Sequence, residues 1–342
     1  MLPSVKRRRF LQVAALAGLW SARLGAADRL GGEVMTVRGP RAAADLGFVL
    51  PHEHVLVDFI GAAEVSPARY DAGVAAAKIR PFLDEAKALG CATLFECTPA
   101  YLGRDPRLLV QLSEACGINL VTNTGYYAAR EHKFLPPHAL AGDADALAAR
   151  WLREWHEGID GTGVRPGFIK IGMDAGPLSA QARKLVQAAA RTHRASGLTI
   201  AAHSGNDVAA QEEMAILTAE GVSPAAWIWV HAQNATTEAS LVAAGRAGAW
   251  LSFDGISPRS LSRHVALVVA MKRAGLLGQV LVSHDAGWYR PGEPEGGQFR
   301  GYDLLFRGFL PALRQEGFSD ADLRQLTETN PAQAYTIVRR LA

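Results

Sequence analysis

Past residue 30, short apolar runs alternate with longer stretches whose apolar positions recur at helical spacing. Eight runs have the length of buried strands, and most are β-branched or aromatic: Phe48–Leu50, Thr93–Cys97, Asn119–Thr122, Gly167–Ile171, Leu198–Ala202, Trp227–Val230, Trp250–Phe253 and Val280–Ser283. Between several of them the period lengthens. Ala75–Leu89 sets Ile79, Phe82, Leu83 and Ala86 on one helical face. The helix expected over Ser179–Ser196 has a serine N-cap and stops at Gly197, and Glu238–Ala247 and Ser260–Ala274 read similarly. Strands alternating with helices point to parallel βα units, and eight of them predict an α/β fold, the (β/α)₈ TIM barrel. Val34–Val37 followed by Gly39-Pro40 predicts a short strand and turn added before the barrel. No linker and no short repeat divides residues 28–342, so one barrel domain is expected there.

Composition changes this picture only at the N-terminus. Hydrophobic residues are 49% and charged residues 20% of the 342, and the formal charge is +3. That balance is ordinary for a globular protein and gives no footing for nucleic acid. Cys91, Cys97 and Cys116 form neither a disulfide framework nor a zinc knuckle and read as small buried apolar residues. Lys6-Arg7-Arg8-Arg9 precedes an apolar run from Val13 to Trp20 and the small residues Gly25-Ala26-Ala27. That order is a signal peptide over 1–27, and Arg7, Arg8, Phe10 and Leu11 resemble a twin-arginine signal. The expectation is export through the twin-arginine machinery to the periplasm or beyond. The apolar run is too short to span a bilayer, so no stable membrane insertion of the mature chain is expected.

The chemistry-bearing residues collect where the expected strands end. The first run leads into Pro51-His52-Glu53-His54, the fourth carries Lys170, and the fifth and sixth end on His203 and His231. The seventh ends on Asp254 and the eighth on His284-Asp285. Active sites of TIM barrels lie at the C-terminal ends of the strands. His52 and His54, two apart, face the same way on an extended strand, and Glu53 faces the helices. Two imidazoles at a barrel mouth can hold a divalent ion, and His203 with His231 a second. Such ligands suit Zn, Mn, Fe or Co. An HxH pair alone is more often structural; carboxylate and imidazole at further strand ends carry the metal reading. Lys170 is unusual, because an ammonium beside two dications is repelled and burial depresses its pKa. Either it is a neutral amine or it has been converted, for example by carbon dioxide, into an anionic carbamate able to bridge two metals. A surface lysine or an ion-pair partner is the plain alternative, against which stand its neighbours Phe168, Ile169 and Ile171.

Together these residues resemble the phosphotriesterase family of the amidohydrolase superfamily, in its phosphotriesterase-related, lactonase-like branch. The likeness is carried by Thr36-Val37-Arg38-Gly39-Pro40, Gly47–His54, Gly103-Arg104-Asp105, Gly167-Phe168-Ile169-Lys170 and Ser283-His284-Asp285, and it covers about Thr36 to Ala334. It implies a binuclear site: His52, His54 and Asp285 on the more buried ion, His203 and His231 on the more exposed one, and N6-carboxylated Lys170 bridging both with a hydroxide. The implied ions are two divalent metals, zinc first. Asp285 is the implied proton acceptor, and the residual positive charge would stabilise an anionic transition state. The family's homodimers make a homodimer an expectation here.

The chain also departs from the family pattern. Gly255 follows Asp254 where phosphotriesterases proper keep a relay histidine and lactonases often an arginine, and Asn234 stands where the relay carboxylate would fall. The expected substrate is therefore a carboxylic ester or lactone, with amides such as N-acyl amino acids second and a catalytically silent metal-binding protein as a third reading. Tyr126 and Tyr127 follow the third strand, and Tyr127 is positioned to donate to a carbonyl. The loop Trp288-Tyr289-Arg290-Pro291-Gly292 is expected to cover the pocket, with Trp288 and Arg290 against substrate. Rim packing for the tyrosine and plain solvation for the arginine are the competing readings. Arg104-Asp105 reads as a structural ion pair. His132, His138, His156, His193 and His264 read as non-catalytic.

Overall fold

The computed structural model describes residues 32–342, so the expected signal peptide lies outside the described residues. The described chain opens with a hairpin, not a single strand. β1 (Glu33–Thr36) pairs antiparallel with β2 (Gly39–Ala42), Thr36 opposite Gly39. The segment expected to be a turn is thus a second strand. Gly39 holds φ at 108°, which lets the chain reverse within Val37-Arg38.

The barrel strands are β3 (Phe48–Glu53), β4 (Cys91–Glu96), β5 (Asn119–Val121), β6 (Asn123–Thr124), β7 (Phe168–Met173), β8 (Ile200–Ser204), β9 (Trp227–Val230), β10 (Trp250–Phe253) and β11 (Val280–Val282). They pair parallel in the orders β3-β4-β5 and β6-β7-β8-β9-β10-β11. β5 and β6 are one strand path interrupted at Thr122, which joins the two sheets. At the other seam His54 N donates to Ala286 O at 2.9 Å and Asp285 N to His52 O at 3.2 Å, tying the last strand path to the first. Each expected run coincides with one strand path of the (β/α)₈ barrel.

The main outer helices are α1 (Ala72–Ala88), α2 (Pro106–Cys116), α3 (Pro137–Ala141), α4 (Ala144–Glu157), α5 (Ala180–Ser196), α6 (Asp207–Ala219), α7 (Glu238–Arg246) and α8 (Leu261–Arg273). The Ser179 hydroxyl accepts from Ala182 N at 3.1 Å to start α5, and Gly197 stops it at φ 79°. Among the described residues no helix is long and apolar enough to cross a membrane. All three cysteines are buried and free.

Alternation along the strands sorts the core into two layers. Val49, Phe95, Val121, Phe168, Ala201, Ile228 and Leu281 fill the barrel interior. Leu50, Leu94, Leu120, Ile169, Ile171, Trp229 and Val282 face the helices. Burying each large apolar side chain contributes roughly 1.5–3 kcal/mol. The end of the barrel opposite the strand C-termini is closed by the hairpin's Val34 and by Tyr335, which stacks on Phe95 at 3.8 Å and donates to Pro51 O at 2.9 Å.

This sorting decides which way the site residues point. Val49 faces inward and Leu50 outward, so uninterrupted alternation would turn His52 and His54 toward the helices. The register of β3 on β4 shifts between Leu50 and Glu53, and that irregularity reverses the parity. His52 and His54 consequently face the barrel axis, and Glu53 faces away.

Candidate metal centre

The six expected ligands converge at the C-terminal mouth. Lys170 continues the inward face of Phe168 on β7, and His203 that of Ala201 on β8. His231 follows the inward Val230, so alternation would turn it out; a left-handed φ of 63° brings it in. Asp285 also sits at a left-handed φ, 54°. Ring centres are 5.4 Å apart for His52 and His54, 5.2 Å for His52 and His231, and 4.5 Å for His203 and His231. Asp285 Oδ1 lies 3.0 Å from His54 Nε2 and 3.8 Å from His52 Nε2. Donor atoms of His52, His54 and Asp285 all lie within 4.8 Å of one another.

Buried acceptors orient these imidazoles. Asp254 lies between His52 Nδ1 at 2.9 Å and His231 Nδ1 at 2.6 Å, and it also receives Ser252 Oγ, Gln233 Nε2 and His231 N. Burial alone would push its pKa up, but the two imidazoles outweigh that and hold it well below the usual carboxylate range. On the other side His54 Nδ1 donates to Thr98 Oγ1 at 2.7 Å, and Thr98 donates on to Glu96 Oε1 at 2.5 Å. With Nδ1 committed, His52, His54 and His231 have Nε2 as their free donor atom, the arrangement that metal-binding histidines need. His52, His231 and Asp254 also lie close enough to suggest a metal group. We read Asp254 instead as the orienting partner, because both its oxygens are already engaged.

The remaining members fit a metal pair as well. Burial, followed by the charges of His231 and Lys170, pushes the His203 pKa well down, leaving the neutral ring a metal requires. Lys170 is buried, and among the described residues its Nζ has only Ile171 O at 3.5 Å, too long for a strong hydrogen bond. Burial lowers its pKa despite nearby Cys97, Asp254 and Asp285. A buried amine with so little to bond to is chemically consistent with a modified side chain.

Glu53 turns away from the centre yet supports it. Its carboxylate receives Ser283 Oγ at 2.7 Å, His284 N at 2.9 Å, His284 Nδ1 at 2.6 Å and Ala286 N at 2.8 Å. It therefore clamps the segment that carries Asp285. Leu305 N donates to His284 Nε2 at 2.8 Å, so both ring nitrogens of His284 are held by the protein.

An arc of aromatic rings bounds the mouth. Trp288 is 5.7 Å from His54, Phe59 5.4 Å from Trp288, Phe134 6.2 Å from Phe59, Tyr127 6.0 Å from Phe134, and His203 5.1 Å from Tyr127. Tyr127 and Trp288 thus stand beside the expected ligands, with Arg290 over the Trp288 ring. Tyr126 points elsewhere: its hydroxyl is 3.0 Å from His138 Nε2. Arg104 does not pair with Asp105. Its guanidinium binds Glu154 twice, at 2.7 and 2.9 Å, while Asp105 caps α2 through Arg107 N and Leu108 N. Capping satisfies helix donors that would otherwise be orphaned, and the fork of Arg104 suits the carboxylate of α4. His132 pairs with Ser179, His193 with Leu198 O and Arg340, and His264 with Ser260 O, and none of the three hydrogen-bonds an expected ligand. A cleft of about 480 Å³ between the loops after β3 and β4 and helix α4 contains none of the six residues.

Sequence reading did not assign Asp254, Glu96, Thr98, Phe59 or Phe134 to the site. Asp254 carried a signal, being a carboxylate at a strand end. Phe59 and Phe134 lie on irregular loops, where no period marks a direction.

The chain matches the model of the phosphotriesterase family over residues 32–335. It is 30% identical over 293 residues to the phosphotriesterase homology protein of Escherichia coli strain K12, covering 84% of this chain and 98% of that protein. It is 24% identical over 273 residues to the N-acetyltaurine hydrolase of Dictyostelium discoideum, covering 75% and 72% of the two. Among solved structures, the organophosphorus hydrolase from Deinococcus radiodurans superposes with a TM-score of 0.78 at 28% identity, over 89% of this chain and 96% of that one. Gly47–His54, Gly167–Lys170 and Ser283–Asp285, three of the segments that carry the resemblance, also bring residues to the barrel mouth, and the chain belongs to the phosphotriesterase family of hydrolases.

Proposed function

We propose that this protein is a binuclear metal-dependent hydrolase of carboxylic esters or lactones. The observation that carries the reading is the convergence of three histidines with oriented Nε2 atoms, a fourth neutral histidine, Asp285 and a buried, poorly bonded lysine. His52, His54 and Asp285 would hold one ion and His203 and His231 the other, with Lys170 between them as a carbamate. Bound there, two divalent ions, zinc first among zinc, manganese, cobalt and iron, supply an electrophile for the substrate oxygen and a water of lowered pKa.

The chain's own groups do the rest. Burial keeps the Lys170 amine toward its neutral form, the form that adds carbon dioxide with loss of a proton. Burial would raise Asp285, but the imidazoles of His54, His52 and His231 that surround it hold it below its usual value. It is therefore a carboxylate at neutral pH, able to take the proton of the attacking water and pass it to the leaving alkoxide. Burial raises the Tyr127 phenol, so it stays protonated and can donate to a carbonyl oxygen.

Gly255 supports carboxylic over phosphoric esters. The place a side chain would occupy there is bounded by Gln233 Nε2, 2.8 Å from the position of a Cβ on residue 255, and by His264 Nε2 at 3.4 Å. Gln233, which bonds Asp254, is a neutral amide that cannot shuttle a proton as a relay histidine does, and His264 Nε2 makes no hydrogen bond to Asp254. Amide hydrolysis is the second reading, favoured by the similarity to an N-acetyltaurine hydrolase. Export through the twin-arginine route, on Arg7, Arg8, Phe10 and Leu11, and a homodimer complete the proposal.

Metal content combined with rates on lactones, aryl esters and N-acyl amino acids tests it. No turnover with two ions bound would sink the enzyme reading and leave a metal-binding protein; preference for N-acyl amino acids would move it to amides. Lys170→Ala is expected to lower metal affinity and kcat/KM by about a hundredfold. A variant that keeps two ions and full activity would remove the bridging role.

A further inference from the structure

Three cations stand over the rings of the aromatic arc. The guanidinium carbon of Arg130 is 5.2 Å from the centre of Phe59, Lys133 Nζ 5.7 Å from that of Phe134, and the guanidinium carbon of Arg290 5.5 Å from that of Trp288. Little offsets their charge. Among the described residues Arg130 and Lys133 form no ion pair, and Arg290 meets Glu293 only at 3.3 Å with both side chains partly exposed. Arg290 Nε is buried without a partner. The neighbouring Asp174 accepts from Arg130 N at 2.7 Å and Glu131 N at 3.2 Å and forms no ion pair with the side chain of Arg130 or Lys133.

The turn that presents Arg130 is also unusual. Arg130, Glu131 and His132 are left-handed in succession, at φ 60°, 55° and 66°. Non-glycine residues seldom enter that region, and three in a row persist only when the surroundings impose it. Here the constraint comes from Asp174, one residue beyond β7, the strand that carries Lys170.

We infer that this rim selects the substrate by charge. The favoured substrate has its scissile carbonyl at the metal centre, an apolar segment along the arc and a carboxylate at its free end, met by Arg130, Lys133 and Arg290. A cation stacked on a ring is held in place with its N–H groups still able to donate, and a guanidinium takes a carboxylate through two of them. The inference rests on the hydrolytic reading for the position of the carbonyl.

The test compares phenyl hexanoate with monophenyl adipate, which have acyl chains of equal length and differ in a terminal carboxylate. On the metal-loaded enzyme the adipate ester is expected to have the higher kcat/KM, through a lower KM. The adipate-to-hexanoate ratio is expected to fall about threefold in Arg130→Ala and in Arg290→Ala, and about tenfold in the double variant. It is also expected to collapse in about 1 M salt. A ratio at or below one in the wild type, or one that the double variant leaves unchanged, overturns the inference. Failure of the hydrolytic reading shows differently, as no turnover of either ester. Calorimetry with 7-oxooctanoate and octan-2-one, which cannot be hydrolysed, then tests the rim alone. Weaker binding of the oxo acid to the double variant supports the rim, and equal binding overturns it.

Discussion

At the residue scale the centre depends on carboxylates that orient its imidazoles. Asp254 fixes two imidazoles through Nδ1, and Glu96 fixes a third through Thr98. Asp254→Asn puts a neutral amide where two ring N–H groups need acceptors. It should lower metal affinity by about 10- to 100-fold with little change of fold, measured by competition with a chelator. Full affinity in that variant would make Asp254 itself dispensable. Tyr127→Phe should lower kcat about tenfold with KM nearly unchanged if the phenol serves the transition state. A change in KM alone would return Tyr127 to rim packing.

At the element scale, interruptions of regular structure place the expected ligands. The irregularity in β3 turns His52 and His54 inward, and the left-handed residue after β9 does the same for His231. Gly287 makes the seam between β11 and β3 tight. Its φ is 95°, and a Cβ there would lie 1.8 Å from His54 O. Gly287→Ala should cost about 3 kcal/mol in denaturant unfolding, since neither partner can retreat without moving a ligand. A second element-level contact is Arg104 with Glu154, which fixes α4 against the loop after β4. Burial pushes the Glu154 pKa up, but the charge and hydrogen bonds of Arg104, with Thr124, bring it below its usual value. A carboxylate depressed in the folded state stabilises above its unfolded pKa, and that contribution is lost as pH falls through the folded value. Stability should therefore decline as pH falls below about 4.5, and Glu154→Gln should flatten that decline. The same substitution should cost about 3 kcal/mol at neutral pH by leaving the Arg104 charge buried. An unchanged acid limb would exclude this pair as its source.

At the scale of the whole molecule, the centre is where distant parts of the chain meet. His52 and Asp285 are far apart in sequence and join across the seam that closes the ring. Ions bound by these residues would favour the folded state, where alone the donors converge, and would stabilise it by mass action. Removing them with a chelator should lower stability by about 4 kcal/mol per ion when free metal had stood a thousandfold above its Kd. Thermal unfolding with and without added metal checks this, and an unmoved midpoint would mean that the convergent donors hold no ion.

By itself the sequence determined the number of strand–helix units and the positions of the ionisable residues along them. Both follow from local period, and the period of a strand or helix is written in consecutive residues. It also located the pair His52 and His54 and the tyrosine at the mouth. The two-residue spacing put both histidines on one face with Glu53 opposite, as the structure has them, yet strict alternation from Val49 and Leu50 would point that face toward the helices. Only the tertiary structure, through one register shift and two left-handed residues, decided which way the expected ligands point. The same holds for Asp254, Glu96 and Glu53, whose partners are brought to them from other strands, and for Phe59 and Phe134 on irregular loops. Long-range hydrogen bonding and ring closure have no period, so a reading of neighbours cannot supply them.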